Sequence, residues 1–155
     1  MATVRLRFES PLAADAATVW AHATAMEGVN FELGPWVRMS VPRTMAGLRL
    51  DQVRPGVLLF QSWLLAFGVL PFDRHALRLH GIGPGMRFDE DSTSWLQRVW
   101  RHHRHVEPLG AGCVVVDELE VVPRMAPAFL IRGIVGALFA HRHRRLRRRF
   151  GSVAR

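Results

Sequence analysis

Residues 95–123, WLQRVWRHHRHVEPLGAGCVVVDELEVVP, decide how this chain is read. Two runs rich in β-branched and aromatic residues, 95–107 and 113–123, flank the turn-forming cluster Pro108-Leu109-Gly110-Ala111-Gly112, which is the pattern of an antiparallel hairpin. Centring the loop between Leu109 and Gly110 sets Val106 opposite Cys113, Arg104 opposite Val115, His102 opposite Asp117 and Trp100 opposite Leu119, all on one face. The other face has Val99, Arg101, His103 and His105 beside Val114, Val116, Glu118 and Glu120, with Arg101 across from Glu118, a mixture that suits solvent. The first face is therefore the inner one, yet His102, Arg104 and Asp117 stand there among Trp100, Val106, Val115, Leu119 and Val121. Ionisable side chains are seldom buried without partners.

Three readings of that trio stand side by side. In a polar core, Asp117 accepts from His102 and Arg104 and nothing more is implied. In a ligand cavity, His102, Arg104 and Arg142 of the C-terminal segment orient a carbonyl, hydroxyl or carboxylate within an apolar pocket. In an acid–base site, Asp117 orients a His102 that moves a proton on or off a carbonyl compound, which makes these two the catalytic candidates. A metal site is not expected, because alternate strand residues separate His102 from His103 and His105, and His141 and His143 lie two apart on a helix. No cofactor is expected either. Gly81-Ile82-Gly83-Pro84-Gly85 reads as a turn rather than a phosphate loop, and there is no GxSxG or Walker A pattern.

Working outward, Pro127 opens a helix that runs to about Phe150 and stops at Gly151. Ile131, Ile134, Val135, Leu138, Phe139, Leu146 and Phe150 share one side of it with Arg142. Upstream, residues 86–90 form a further strand, closed by a turn at Asp91-Ser92-Thr93-Ser94, so that three strands make a meander. At the N-terminus, residues 4–9 alternate as a strand. Pro11 and Asp15 introduce a helix carrying Val19, Trp20, Ala23 and Met26, which Gly28 ends. A short helical piece at 30–33 stops at Gly34-Pro35, and residues 36–41 alternate as a strand. Leu48, Leu50 and Val53 read as strand, residues 76–82 likewise, and the apolar block 57–72 fits either a buried helix or a pair of strands.

A length of 155 residues with 49% hydrophobic and 22% charged residues fits one globular domain over 1–155, and no linker or repeat divides it. The block at 57–72 is shorter than the roughly twenty apolar residues a membrane span needs, and 125–140 is interrupted by Arg132. No signal peptide pattern opens the chain, and the lone Cys113 permits no internal disulfide, so a reducing cytoplasm is the simplest setting. The net charge is +8, every basic residue is arginine, and residues 121–155 hold nine arginines and no acid. Arg144, Arg145, Arg147, Arg148 and Arg149 read either as a solvated helix end that complements the macrodipole or as a surface for the phosphates of an anionic membrane or of nucleic acid.

The order of these elements combines with several short motifs: Phe8-Glu9-Ser10-Pro11-Leu12 followed by Val19-Trp20, and Glu27-Gly28-Val29-Asn30 leading to Pro35-Trp36. Trp100-Arg101-His102 feeds Asp117-Glu118-Leu119 and Pro123, and Leu138-Phe139 precedes Arg142 and Leu146. Together, over nearly the whole chain, they resemble the SRPBCC superfamily of START, Bet v 1-like and polyketide cyclase/dehydrase proteins. The resemblance implies an α+β helix-grip fold, a curved antiparallel β-sheet wrapped around a long C-terminal α-helix with two short helices. It implies a cavity for a small hydrophobic molecule of the lipid, polyketide or isoprenoid class. Trp100, Val115, Leu119, Ile131, Val135 and Leu138 would wall that cavity, with His102, Arg104, Asp117 and Arg142 as polar anchors. A cyclase or dehydratase-type enzyme using His102 and Asp117 is the alternative, and docking of anionic membrane or RNA through 142–149 a third. The chain departs from the superfamily's simpler cases in having no tyrosine and an arginine-rich last helix.

Overall fold

A computed structural model describes residues 2–153, so Arg155 of the basic tail lies outside the described residues. Strand β1 (Val4–Leu12) leads into α1 (Ala16–Ala23) and α2 (Met26–Leu33), and β2 (Val37–Met39) is followed by 3-10 turns at Arg43–Met45 and Leu50–Gln52. Then come β3 (Leu58–Ala66), β4 (Leu70–Ile82), β5 (Arg87–Ser94), β6 (Gln97–Leu109), β7 (Gly112–Pro123) and the helix α3 (Ala128–Phe150). The seven strands form one antiparallel sheet in the order β1-β7-β6-β5-β4-β3-β2. The chain thus crosses through α1 and α2 from one sheet edge to the other, then returns strand by strand to β1. Sheet, two short helices and a long C-terminal helix form a helix-grip α+β fold.

The central hairpin keeps its expected faces but not its expected register. Arg104, not His102, lies opposite Asp117, His102 faces Leu119, and Arg101 faces Glu120 rather than Glu118. The loop is the pair Gly110-Ala111 between Leu109 and Gly112, with Gly110 at φ +58°. A two-residue hairpin loop needs such a residue at its first central position, which moves the turn one residue beyond the Leu109/Gly110 centre. A shift of two in pairing preserves which side chains point inward.

Elsewhere the sequence expectations are corrected in three places and an open alternative is decided in a fourth. Asp91-Ser92-Thr93-Ser94 is not a turn but the second half of β5, because Ser92 and Ser94 are buried where Ser92 Oγ accepts from Arg78 N and donates to Glu90. Gly28 does not end a helix. It sits inside α2, and a Cβ there would stand 1.9 Å from the carbonyl oxygen of His22, so glycine is what lets α2 pack on the end of α1. Leu50 lies in a 3-10 turn rather than a strand, as one of the buried side chains packed beneath α2. The block 57–72 resolves as β3 and the start of β4, joined by Phe67, Gly68 and Val69, with Phe67 at φ +53° and Gly68 at φ +75°.

Asp15 caps α1, its side chain accepting from Thr18 N at 3.1 Å. Gly151, at φ +78°, terminates α3. The buried apolar residues divide into three clusters rather than one core: α2 against β3, β4 and β5; α1 against the β6–β7 hairpin and Leu146; and Ile131, Val135 and Phe139 of α3 against β1 and β7. Among the described residues no helix is long and apolar enough to cross a membrane.

Candidate functional site

Between α2, the first half of α3 and the concave face of β2–β6 lies a cavity of about 830 Å³. Most of its wall is aliphatic and aromatic, with Met26, Val29 and Leu33 from α2, Leu77 and Leu79 from β4, and Phe88 from β5. These positions follow from periodicity: α2 turns its i, i+3, i+7 stripe inward, and alternate residues of each strand face the concave side. The polar lining comes mostly from the same alternation, which places His75, Glu90, Gln97 and His102 on the sheet wall.

Of the residues read from sequence as a ligand site, Trp100, His102, Ile131, Val135, Leu138 and Arg142 line this space. The other four do not. Val115 and Leu119 are buried in apolar clusters with Leu146 and Phe139 respectively, and Arg104 and Asp117 are wholly buried in an ion-pair network beside the cavity. Opposed charges and full hydrogen bonding keep the latter pair out of reach of a ligand.

Asp117 is the centre of that network. Its Oδ1 accepts from His102 Nε2 at 2.6 Å and Arg104 Nε at 2.7 Å, and its Oδ2 from Arg104 Nη2 and His143 Nε2, both at 2.7 Å. With Asp117 ionised, both Nε2 atoms donate to it, and His143 Nδ1 lies 2.8 Å from Ser10 Oγ. Arg104 forks in the opposite direction onto Glu32 of α2, at 2.9 and 2.8 Å, and Glu32 also accepts from Arg142 Nε at 3.2 Å. His22 Nε2 lies 3.3 Å from Glu32 but without hydrogen-bond alignment. Burial pushes the Asp117 and Glu32 carboxyls up, yet the arginine charges outweigh it and hold both below the ordinary carboxylate range.

A second carboxylate completes a polar row across four adjacent strands. Glu90 Oε1 accepts from His75 Nε2 and Ser92 Oγ, each at 2.7 Å, and Oε2 stands 3.6 Å from His102 Nδ1. Burial again opposes ionisation, but His102 and His75 keep Glu90 below its ordinary range. His102 therefore lies between two carboxylates. Burial alone would lower its pKa; Asp117 and Glu90 raise it, so the ring holds its proton above the usual histidine range. Nε2 is taken by Asp117, and Nδ1 faces Glu90 at 3.6 Å, beyond hydrogen-bond length.

Glu32, Glu90, His75 and His143 were not singled out from sequence, though each carries a signal. Glu32 follows Val29 by three on the buried stripe of α2, and His143 stands four after Phe139 and three before Leu146 on α3. His75 alternates with Leu77 and Leu79, and Glu90 with Phe88.

The arginine run does not form one charged face. Arg142 is buried, Arg145 donates to the Phe31 carbonyl with its guanidinium 4.2 Å from that ring, and Arg147 donates to Ser10. Arg149 also lies over Phe31, at 4.9 Å, while Arg144 and Arg148 are exposed and have no acidic partner among the described residues. The helical period spreads the run around α3. Among the described residues no three His, Cys, Asp or Glu side chains are grouped to hold a metal ion.

The fold is shared with several solved structures. A Chromobacterium violaceum protein superposes with a TM-score of 0.73 at 16% identity, over 96% of this chain and 98% of its own. A START superfamily protein from Mycobacterium smegmatis gives 0.66 at 14% identity, covering 96% of both chains. The Zhui aromatase/cyclase from Streptomyces sp. R1128 gives 0.61 at 15% identity, over 98% of this chain and all of that one. At such identities the likeness is one of fold alone, the helix-grip arrangement of sheet and C-terminal helix. No curated protein matches the sequence. The family model described as Domain of unknown function (DUF8410) matches residues 10–150, and the chain belongs to that family.

Proposed function

We propose that this protein binds a small, mostly apolar molecule, of the lipid, polyketide or isoprenoid class, in the cavity between α2, α3 and the sheet. The observation that carries this reading is the cavity itself: about 830 Å³, walled chiefly by apolar side chains, with a few fixed polar groups on one wall. Ligand sites have this size and composition. His75, Glu90 and Gln97 are the polar groups best placed to receive a hydroxyl or carbonyl of the ligand. Arg142, held by Glu32 and lying 4.7 Å over the Phe139 ring, offers a cation on the helix side.

The orientation of His102 favours binding over proton transfer. A cyclase or dehydratase that used His102 and Asp117 needs one imidazole nitrogen within hydrogen-bond reach of the substrate. Here both nitrogens are directed at carboxylates. His102 acts in this reading as a rigid part of the wall.

The test is to purify the protein from its native host and weigh it under native and then denaturing conditions. A reproducible apolar molecule released on denaturation is the expected result. Protein that emerges empty, and takes up neither a fluorescent fatty acid nor an aromatic polyketide mimic, would overturn the reading. Turnover of a carbonyl substrate that is lost in a folded His102→Ala variant would replace it with the enzymatic one.

A further inference from the structure

We propose that the rim around the cavity mouth docks on an anionic lipid bilayer. In an antiparallel sheet alternate turns lie at the same end, so the 67–69 loop, the 95–96 turn, the start of β2 and the start of α3 share one end of the molecule. That end is apolar and exposed. Phe67 is 63% exposed, Val69 71% and Leu70 61%, and the Phe67 ring packs edge-on against Trp36, itself 53% exposed. Trp36 and Ile134 also line the cavity, so rim and wall are one continuous surface. An apolar patch of this kind, ringing the entrance to an apolar cavity, is costly to leave in water and marks a contact surface.

Charge selects the occupant. Of the segments at this end, 34–50, 57–72 and 124–149 contain no acidic residue, and at the 95–96 turn the nearby Asp73 is buried and accepts from Leu96 N. On α3, Leu130, Ile134, Ala137, His141, Arg144 and Arg148 recur at spacings of four and three, a single stripe that passes from apolar to cationic along the mouth. Arg144 and Arg148 are exposed and have no acidic partner among the described residues. Aromatic and aliphatic side chains that enter an interface, flanked by unpaired arginines, fit the acyl boundary and phosphates of an anionic membrane. The docking stands independently of what fills the cavity; its use, to load an apolar molecule from the bilayer, rests on the binding reading.

The experiment is flotation of the delipidated full chain with vesicles of phosphatidylcholine alone and of phosphatidylcholine with phosphatidylglycerol. Binding to the anionic vesicles is expected, falling as salt rises, with a blue shift of tryptophan emission. Phe67→Asn suits the left-handed backbone at this position and so leaves the fold intact, yet it and Leu70→Ser should each weaken binding roughly tenfold. Arg144→Gln should weaken it about fivefold. Leu109→Ser, in the exposed β6–β7 turn at the other end of the sheet, should leave it unchanged. The proposal is overturned if neither vesicle binds at low salt. It is overturned also if Phe67→Asn and Leu70→Ser leave binding intact, or if they abolish a dimer of this chain while vesicles are ignored. Since the protein is emptied beforehand, an absent natural ligand does not change the outcome.

Discussion

Replacing Glu32 by Gln should be among the most damaging single substitutions of a polar residue in this protein, although it alters only one atom's identity and a charge. Glu32 is wholly buried and receives two hydrogen bonds from Arg104, at 2.9 and 2.8 Å, and one from Arg142 at 3.2 Å. Arg104 keeps Asp117, but Arg142 loses the one carboxylate with which it forms an ion pair. The amide also turns a donor toward groups that can only donate. Removing one partner from a buried ion pair costs about 3–5 kcal/mol, chiefly because the other charge stays buried uncompensated. For a domain of this size each kcal/mol lowers Tm by roughly 2–4 °C, so a fall of roughly 6–20 °C follows. Urea denaturation monitored by circular dichroism reads the loss directly. The control is Glu120→Gln, which disturbs Arg5 and Arg101 on the exposed face and should cost less than about 1 kcal/mol. A Glu32→Gln penalty no larger than the Glu120→Gln penalty would refute the argument that the network is desolvated and interdependent.

Three further outcomes are expected. The folded pKa values of Glu32, Glu90 and Asp117 lie below their ordinary 4.5, 4.5 and 3.8, so the stability they contribute is complete above those values and is lost as pH falls beneath them. His102, raised above 6.5, behaves oppositely: its contribution is complete below 6.5 and fades as pH rises through the folded value, so urea midpoints against pH should decline on both sides of a plateau. Gly28→Ala places a methyl within 1.9 Å of the His22 carbonyl oxygen and should cost about 3 kcal/mol or more in the same denaturation assay. Ala137→Trp, on the exposed mouth-facing side of α3, should leave Tm within a few degrees while reducing the fraction of protein that native mass spectrometry finds loaded.

The residues that carried the fold were legible where pattern and burial agree. The hairpin's inner and outer faces followed from alternation alone, because parity survives a register shift of two, whereas the pairing of His102 with Asp117 depended on a loop centre that only backbone geometry at Gly110 decides. The boundaries of α3 were legible from Pro127 and Gly151. The second half of β5 was not, since Glu90, Ser92 and Ser94 are polar residues on an inner face and mimic a turn. Nor was Glu32, hidden when Gly28 reads as a helix stop although tertiary packing demands a glycine there. Which inner-face residues touch open space, and which touch one another, depends on how far α2 and α3 stand from the sheet. Periodicity holds no measure of that distance, and so Arg104 and Asp117 looked like ligand anchors.

The distance is set by the charged residues themselves. Apolar surfaces gain by closing on one another, so a cavity of about 830 Å³ lasts only if something directional holds its walls apart. Here α2 is tied through Glu32 to Arg104 of β6 and Arg142 of α3, and α3 is tied through His143 to Asp117 of β7 and Ser10 of β1. Charge-assisted hydrogen bonds tolerate little variation in length and angle, and these fix the C-terminal half of α3 and the end of α2 against the sheet. Beyond that frame, the N-terminal half of α3 packs one side on β1 and β7 through Ile131 and Val135 and leaves the other facing empty space. The same frame explains why His102 keeps Nε2 on Asp117: it is the point where the structural network meets the cavity wall. The polar residues on the inner face therefore act indirectly, by holding open the space that the apolar residues line.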